Sequence, residues 1–228
     1  VSLAVQPELF PSWGRLLQLL ADRLVAELAE DSATIVRSYC KKGQLLKASE
    51  EALAELGKNR FHAEMRRAFP RTCPAAADLS LPQAIWGLQP ALVVTTNYDS
   101  VLQWAKPEAR RLLNHQSAEL ADLFADSSAA QPMIWHLHGH IDEADSLILG
   151  PTQYATLYTQ QPDLLPRYRA ALEQLRHAAA NHTLLFVGFG LRDPYVVELL
   201  KEVFAIFQGN SRPHFALLKA GEADARQL

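Results

Sequence analysis

The sequence predicts an α/β fold, a Rossmann-like parallel sheet flanked by helices, with an N-terminal helical subdomain. Three observations carry this. The first third has helical apolar spacing and no β pattern. From residue 91 onward, short apolar runs alternate with helical ones. Three of those runs end in polar or glycine-rich groups. Apolar strands alternating with helices imply βαβ units and a parallel sheet covered on both faces.

Taken in order, Trp13 to Leu28 places Leu16, Leu17, Leu20, Leu24 and Leu28 at near-helical spacing, with Ser12 as its N-cap. Further helices are expected over Ser32–Lys41, Gln44–Leu56 and Asn59–Phe69. Gly43 and Gly57 punctuate them and Pro70 ends the last. Ala91–Thr96 (ALVVTT) reads as a buried strand, and Asp99–Lys106 as the helix after it. The polar stretch Asn114–Ala130 reads as a surface helix plus loop. Met133–Leu137 (MIWHL) and Ser146–Leu149 are strand candidates. Pro151–Tyr158 and Pro166–Ala180 read as helices, Thr183–Val187 as a strand, Asp193–Phe207 as a helix and Pro213–Leu218 as a last strand. This gives one domain over 1–228, mainly helical over 12–90 and Rossmann-like over 91–228.

Composition narrows the function classes. With 22 basic and 25 acidic residues the net charge is −3, so no global basic field recruits nucleic acid. Pairs such as Arg66-Arg67 and Arg110-Arg111 read as solvated faces. The two cysteines, Cys40 and Cys73, cannot form a four-cysteine zinc module, and a disulfide framework is not expected. No run reaches about 18 apolar residues, and no secretory leader is recognisable; a reducing cytoplasm is the expected setting. The sequence begins at Val1 without a methionine and stops soon after the apolar run His214–Leu218. Both ends read as cuts in a longer protein.

The polar residues gather where strands end. ALVVTT runs into Asn97-Tyr98-Asp99, MIWHL into His138-Gly139-His140, and TLLFVG into Phe189-Gly190-Leu191-Arg192-Asp193. Carboxyl ends of parallel strands share one edge, where α/β proteins bind ligands. Each residue also has a plainer reading: Asn97 as a turn residue, Asp99 as a helix cap, the histidines as satisfied core groups. His136, His138 and His140 alternate, so on a strand they would share a face. Gly139 singles out His138, because a glycine lets a ligand or backbone approach closely. Gly188 and Gly190 alone are a weak dinucleotide signal, since a full G-x-G-x-x-G would need glycine where Asp193 stands.

In combination these segments resemble the SIR2-like (sirtuin) family, in its bacterial antiphage-defence branch. TTNYD (95–99) is similar to the family's T-Q-N-x-D segment, with Thr96 in place of glutamine. HLHG (136–139) is similar to its histidine-glycine motif, which puts the catalytic histidine at His138. LLFVGFGLRDP (184–194) resembles its late strand and glycine-rich turn, and HFALL (214–218) the next strand. VSLAVQPELFPSW resembles the segment after the family's G-A-G turn, whose glycines would fall just before Val1. A chain without them carries only part of the phosphate cradle.

The resemblance implies an NAD+ hydrolase giving nicotinamide and ADP-ribose, with no zinc. Asn97, Asp99 and His138 would be catalytic, and Ser2, Thr96, Gly188, Gly190 and Asp193 would touch NAD. Asn97 would orient ribose hydroxyls or water, Asp99 would anchor the nicotinamide amide or fix Asn97, and His138, expected to titrate near neutrality, would be the general base. Tyr154 is placed near the pocket, and Trp13 reads as core. The branch further implies a defence effector with homo-oligomerisation and a regulatory domain or partner outside this chain. Region 12–69 is a candidate contact surface. Three other readings stay open: a non-catalytic NAD or ADP-ribose binding module, a protein deacylase or ADP-ribosyltransferase, and a metal-dependent hydrolase using the H-x-H histidines with Asp142 or Glu143.

Overall fold

The computed structural model describes residues 1–5, 8–124, 131–158, 166–188, 194–206 and 212–217. After a short helix α1 (Ser2–Val5), the N-terminal third is helical as predicted, with α2 (Trp13–Ala26), α3 (Glu30–Lys41) and α4 (Leu45–Ala68). The Ser12 side chain caps α2 by accepting from the Arg15 N–H at 3.2 Å. Helix α4 is kinked at Gly57 (φ 71°, ψ 159°), which divides it where two helices were expected. Leu16, Leu17, Leu20 and Leu24 of α2 bury their shared face against Ala33 and Val36 of α3 and Ala48, Ala52, Phe61 and Met65 of α4. Nearly complete burial of such side chains is worth on the order of 2 kcal/mol each in transfer terms, so this bundle has a core of its own. Helix α5 (Ser80–Gly87) closes the region.

The rest alternates strand and helix, although the run expected as a buried strand over 91–96 is only half-buried, with Val94 exposed. In order come β1 (Leu92–Thr95), α6 (Val101–Ala105), β2 (Arg110–Leu113), α7 (Ser117–Ala121) and β3 (Met133–His136). They are followed by α8 (Pro151–Tyr158), α9 (Arg169–Asn181), β4 (Leu185–Val187), α10 (Pro194–Ile206) and β5 (Phe215–Leu217). Every described strand pair is parallel, and the architecture is α/β and Rossmann-like. One continuous sheet was expected. The described strands instead form a three-stranded sheet, ordered β1-β3-β2, and a separate pair, β4-β5. Trp135, Leu112, Leu137 and Ile148 pack with Leu172 and Leu175 of α9 and Val196 and Leu199 of α10, so one core spans both sheets.

Strand β2 and the segment Ser146–Leu149 depart from the sequence reading. Strand β2 was not foreseen, because its first two residues are Arg110 and Arg111. It is an edge strand, where exposed charges are tolerated and even protective, and only Leu112 and Leu113 are buried. Conversely, Ser146–Leu149 is not a strand. A 3-10 turn (Ala144–Ser146) leads into buried irregular chain. Its backbone groups are satisfied by the loop instead of a ladder. Asn114 Nδ2 donates to Ser146 O at 2.8 Å, and Ile148 N donates to His138 O at 2.9 Å.

The helical third packs against the loops that carry the polar residues. A ring nitrogen of His62 lies 2.6 Å from Ile141 O, the Thr152 hydroxyl donates to Glu50 at 2.6 Å, and Lys58 pairs with Asp145. Ile141, Leu147 and Leu149 belong to the same apolar cluster as α2–α4. No described helix is long and apolar enough to cross a membrane.

Candidate functional site

Strand β1 delivers Asn97 and Asp99 one turn beyond its last residue. The Asn97 backbone is held from both sides: its N–H donates to Thr95 Oγ1 at 3.1 Å, and its carbonyl accepts from His136 Nδ1 at 3.0 Å. Its side chain is held too, as Asn97 Nδ2 donates to Ser2 Oγ at 2.8 Å. The Ser2 hydroxyl in turn donates to Asp99 Oδ2 at 2.7 Å, while Asp99 Oδ1 accepts from the Val101 N–H at 3.1 Å. The N-cap of α6 is Ser100, not Asp99 as expected; Asp99 stands one residue earlier, holds the first N–H of the helix, and also fixes Asn97 through Ser2. It is only 6% exposed, and burial pushes its carboxyl above the usual range against the pull of the Ser2 hydrogen bond.

The three histidines do not share a face. Strand β3 stops at His136, and the chain reverses at Gly139 (φ 89°). A Cβ there would lie 2.2 Å from Ser146 O, so the close approach that needs glycine is backbone, not ligand. His136 and His140 are edge to face, 4.7 Å apart, behind Asn97. His136 donates to a carbonyl, which fixes its proton on Nδ1. His140 Nδ1 accepts from the Asp142 N–H at 3.2 Å and faces Arg111 Nη1 at 2.9 Å, leaving its proton on Nε2, 3.0 Å from Ser100 Oγ. These engagements leave no converging set of free ring nitrogens for a metal. Among the described residues no group of three His, Cys, Asp or Glu has metal-ligating geometry.

His138 points the other way and is 2% exposed. Tyr158 Oη lies 2.8 Å from its Nε2, and Tyr154 Oη 3.2 Å from its Nδ1. The near-neutral titration expected of His138 does not hold: burial lowers its pKa to about 3, since a charged imidazolium would lose its hydration there. Burial likewise takes His136 down to about 4 and His140 to about 3. All three are neutral at pH 7.

Ser2, Thr96, Asn97, Asp99, His138 and Gly188 line one cavity of about 350 Å³, within the roughly 300–1,000 Å³ of small-molecule sites. Six predicted site residues thus meet, although β4 is not paired to β1. Gly188 (φ 64°) brings its backbone close to that of Val1. The other two predicted contacts, Gly190 and Asp193, lie outside the described residues. Trp13 is packed against the core and also lines the cavity, as does Tyr154. The wall residues Phe10, Leu16 and Phe69 were not foreseen, nor was the contact of Tyr154 and Tyr158 with His138. One signal for the pair was present: Tyr154 and Tyr158 stand four apart on a predicted helix, hence on one face.

Comparison with known proteins bears on the whole chain. A model of the SIR2-like domain family matches residues 91–228, from the start of β1 onward. The NAD(+) hydrolase ThsA of Enterococcus faecium is 25% identical over 126 residues, which is 55% of this chain and 25% of that protein. The NAD(+) hydrolase ThsA of Bacillus cereus (strain MSX-D12) is 22% identical over 222 residues, 96% of this chain and 42% of that protein. The chain spans a quarter to about two fifths of the length of these curated relatives.

Proposed function

The chain belongs to the SIR2-like domain family, and on that premise we propose that it hydrolyses NAD+ at the nicotinamide–ribose bond, giving nicotinamide and ADP-ribose. The observation that carries the reading is the convergence of Asn97, Asp99 and His138 on one cavity that Ser2, Thr96 and Gly188 also line. The relatives are NAD(+) hydrolases by name. Residues 12–90 and 91–228 form one domain in this reading, with NAD as substrate and no zinc required.

The chemistry asks for stabilisation of an oxocarbenium-like ribose and for a positioned water. Asn97, with backbone and side chain both held, orients the water or the ribose hydroxyls. Asp99 keeps Asn97 in place through Ser2. Neutral His138 is already in the basic form at pH 7 and takes part in removing the proton of the attacking water. Thr96 and Gly188 contact the nucleotide. Gly190 and Asp193, beyond the described residues, are assigned to the same contact. At the level of the whole protein, the reading is a bacterial defence effector acting in the cytoplasm. It would be a homo-oligomer, silenced until triggered by a regulatory domain or partner outside this chain.

Incubation with NAD+ tests this by nicotinamide release. Asn97→Ala and His138→Ala should each lower the rate by about 10²-fold or more. Undiminished release from both would overturn the site. Tight NAD binding in calorimetry without any nicotinamide would make the domain a sensor instead of an enzyme. Release that depends on an acetylated peptide would make it a deacylase.

A further inference from the structure

We propose that Tyr154, His138 and Tyr158 form a proton relay that carries the proton of the attacking water from the reactive cavity to a second cavity behind Tyr158. The relay rests on the hydrolase reading above and assigns that site its proton exit.

The geometry is specific. Tyr154 and Tyr158 project from one face of α8 and hold opposite nitrogens of the His138 ring, at 3.2 Å and 2.8 Å. Tyr154 lines the reactive cavity. Tyr158 lines a separate cavity, also of about 350 Å³, together with Tyr195, Arg176, Glu198 and Glu202. His138 and Tyr154 thus both line the reactive cavity, and Tyr158, bonded to His138 Nε2, lines the second. Tyr195 stacks on Tyr158 at 5.4 Å between ring centres and packs on Tyr154 at 5.2 Å, which holds the two hydroxyls in position.

A neutral imidazole has one N–H and one lone pair, and a phenol can donate or accept. A line of three such groups passes a proton in one direction at a time. Burial makes the imidazolium unfavourable, so His138 cannot store a proton. It must release one at Nε2 as it receives one at Nδ1. In hydrolysis, water oxygen bonds to the ribose C1′ and the C1′–N bond breaks, its electron pair leaving with nicotinamide. The water then has one proton to lose. That proton goes to Tyr154 Oη while the Tyr154 proton goes to Nδ1. The Nε2 proton goes to Tyr158 Oη, and the Tyr158 proton leaves to water or a carboxylate in the second cavity. This direction requires the Nε2–H tautomer before reaction, with the Nδ1 lone pair turned to Tyr154.

Nitrogen-15 NMR of histidine-labelled protein reads that tautomer without any turnover. The expected result is His138 as Nε2–H and uncharged from pH 5 to 8, changing to a mixture or to Nδ1–H in Tyr158→Phe. In nicotinamide release, the wild type should show a bowed rate dependence on deuterium content, more than one proton being in flight. Tyr158→Phe should make it linear and lower kcat by about 10- to 100-fold, with the NAD Kd within about two-fold. A wild-type Nδ1–H tautomer, a charged ring near pH 6, or a Tyr158→Phe variant unchanged in tautomer and isotope dependence would overturn the relay. A protein with the Nε2–H tautomer that releases no nicotinamide would overturn the hydrolase reading instead, and with it the task assigned to the relay.

Discussion

Ser2 Oγ donates to Asp99 Oδ2 at 2.7 Å, joining side chains 97 positions apart in sequence. The same oxygen accepts from Asn97 Nδ2. One small hydroxyl thus sets both the carboxylate and the amide at the end of β1. Replacing Ser2 with alanine leaves a buried carboxylate oxygen and an amide N–H without their partner. An unsatisfied buried polar group costs about 1–3 kcal/mol. Ser2→Ala should lower stability by an amount in that range in urea unfolding. It should also lower nicotinamide release by on the order of 10-fold, mainly in kcat, because Asn97 loses its orientation. Unchanged release would mean that Asn97 is held well enough by its backbone.

The strand ends were legible because ALVVTT, MIWHL and TLLFV are short apolar runs with polar residues directly after them. Asn97, Asp99 and His138 could be placed on one edge from that alone, and Ser2 and Gly188 from the family resemblance. What the spacing could not give was direction. His136, His138 and His140 alternate in sequence, but the turn at Gly139 sends His138 away from the other two. Nor could it give burial, which lowers the His138 pKa to about 3. Strand β2 was hidden by Arg110 and Arg111, charges that an edge position accepts. The helical wall of the cavity, with Phe10 and Phe69, comes from packing across the chain, which local pattern does not encode.

Stability should fall as pH falls from about 6.5 toward 4.5. His136, His138 and His140 stay neutral in the native state, with pKa values of about 4, 3 and 3, whereas in the unfolded chain they titrate near 6.5. Between those values the unfolded chain binds more protons, so acid favours unfolding. Each histidine contributes on the order of 1 kcal/mol per pH unit. Ser100, Arg111 and Asp142 face His140, the Asn97 carbonyl, His140 and Arg111 act on His136, and Tyr154 and Tyr158 face His138. Asp99 acts the other way: its raised pKa lets the native state hold a proton that the unfolded chain gives up above about 3.8. Glu27, Asp78, Glu108 and Asp145 have lowered pKa values, and their stabilisation is lost only below the ordinary carboxylate range. The interval from 6.5 to 4.5 therefore reads mainly the histidines. A melting midpoint that is flat or rises on acidification there would show that they become charged in the folded protein.

The Lys58–Asp145 pair links α4 to the loop after β3, yet both side chains are largely exposed. Exposed pairs gain little over their hydrated components. Lys58→Ala should leave the melting midpoint within about 2 °C of the wild type. A larger fall would mean that the pair anchors the helical layer to the loop, a task assigned here to Ile141, Leu147 and Leu149 in the apolar cluster.

Gly139 is the residue whose side chain the fold cannot accommodate. Its φ of 89° is strained for any L side chain, and a Cβ would meet Ser146 O at 2.2 Å and Ser146 C at 2.4 Å. Those are backbone atoms, so no rotamer change relieves the overlap. The Ser146 segment is also fixed by Asn114 Nδ2 on its carbonyl and by its hydroxyl, which accepts from the His140 N–H at 3.0 Å. Gly139→Ala must therefore either move the Ser146 turn or tilt the His138–His140 reversal. The dihedral strain alone costs about 1–3 kcal/mol, and the displaced hydrogen bonds add to it. The expected outcome is a loss of at least about 3 kcal/mol in urea unfolding. Release of nicotinamide should fall even where the variant remains folded, since His138 is the residue next to the strained turn. Wild-type stability in Gly139→Ala would mean that this turn is far looser than its hydrogen bonds imply.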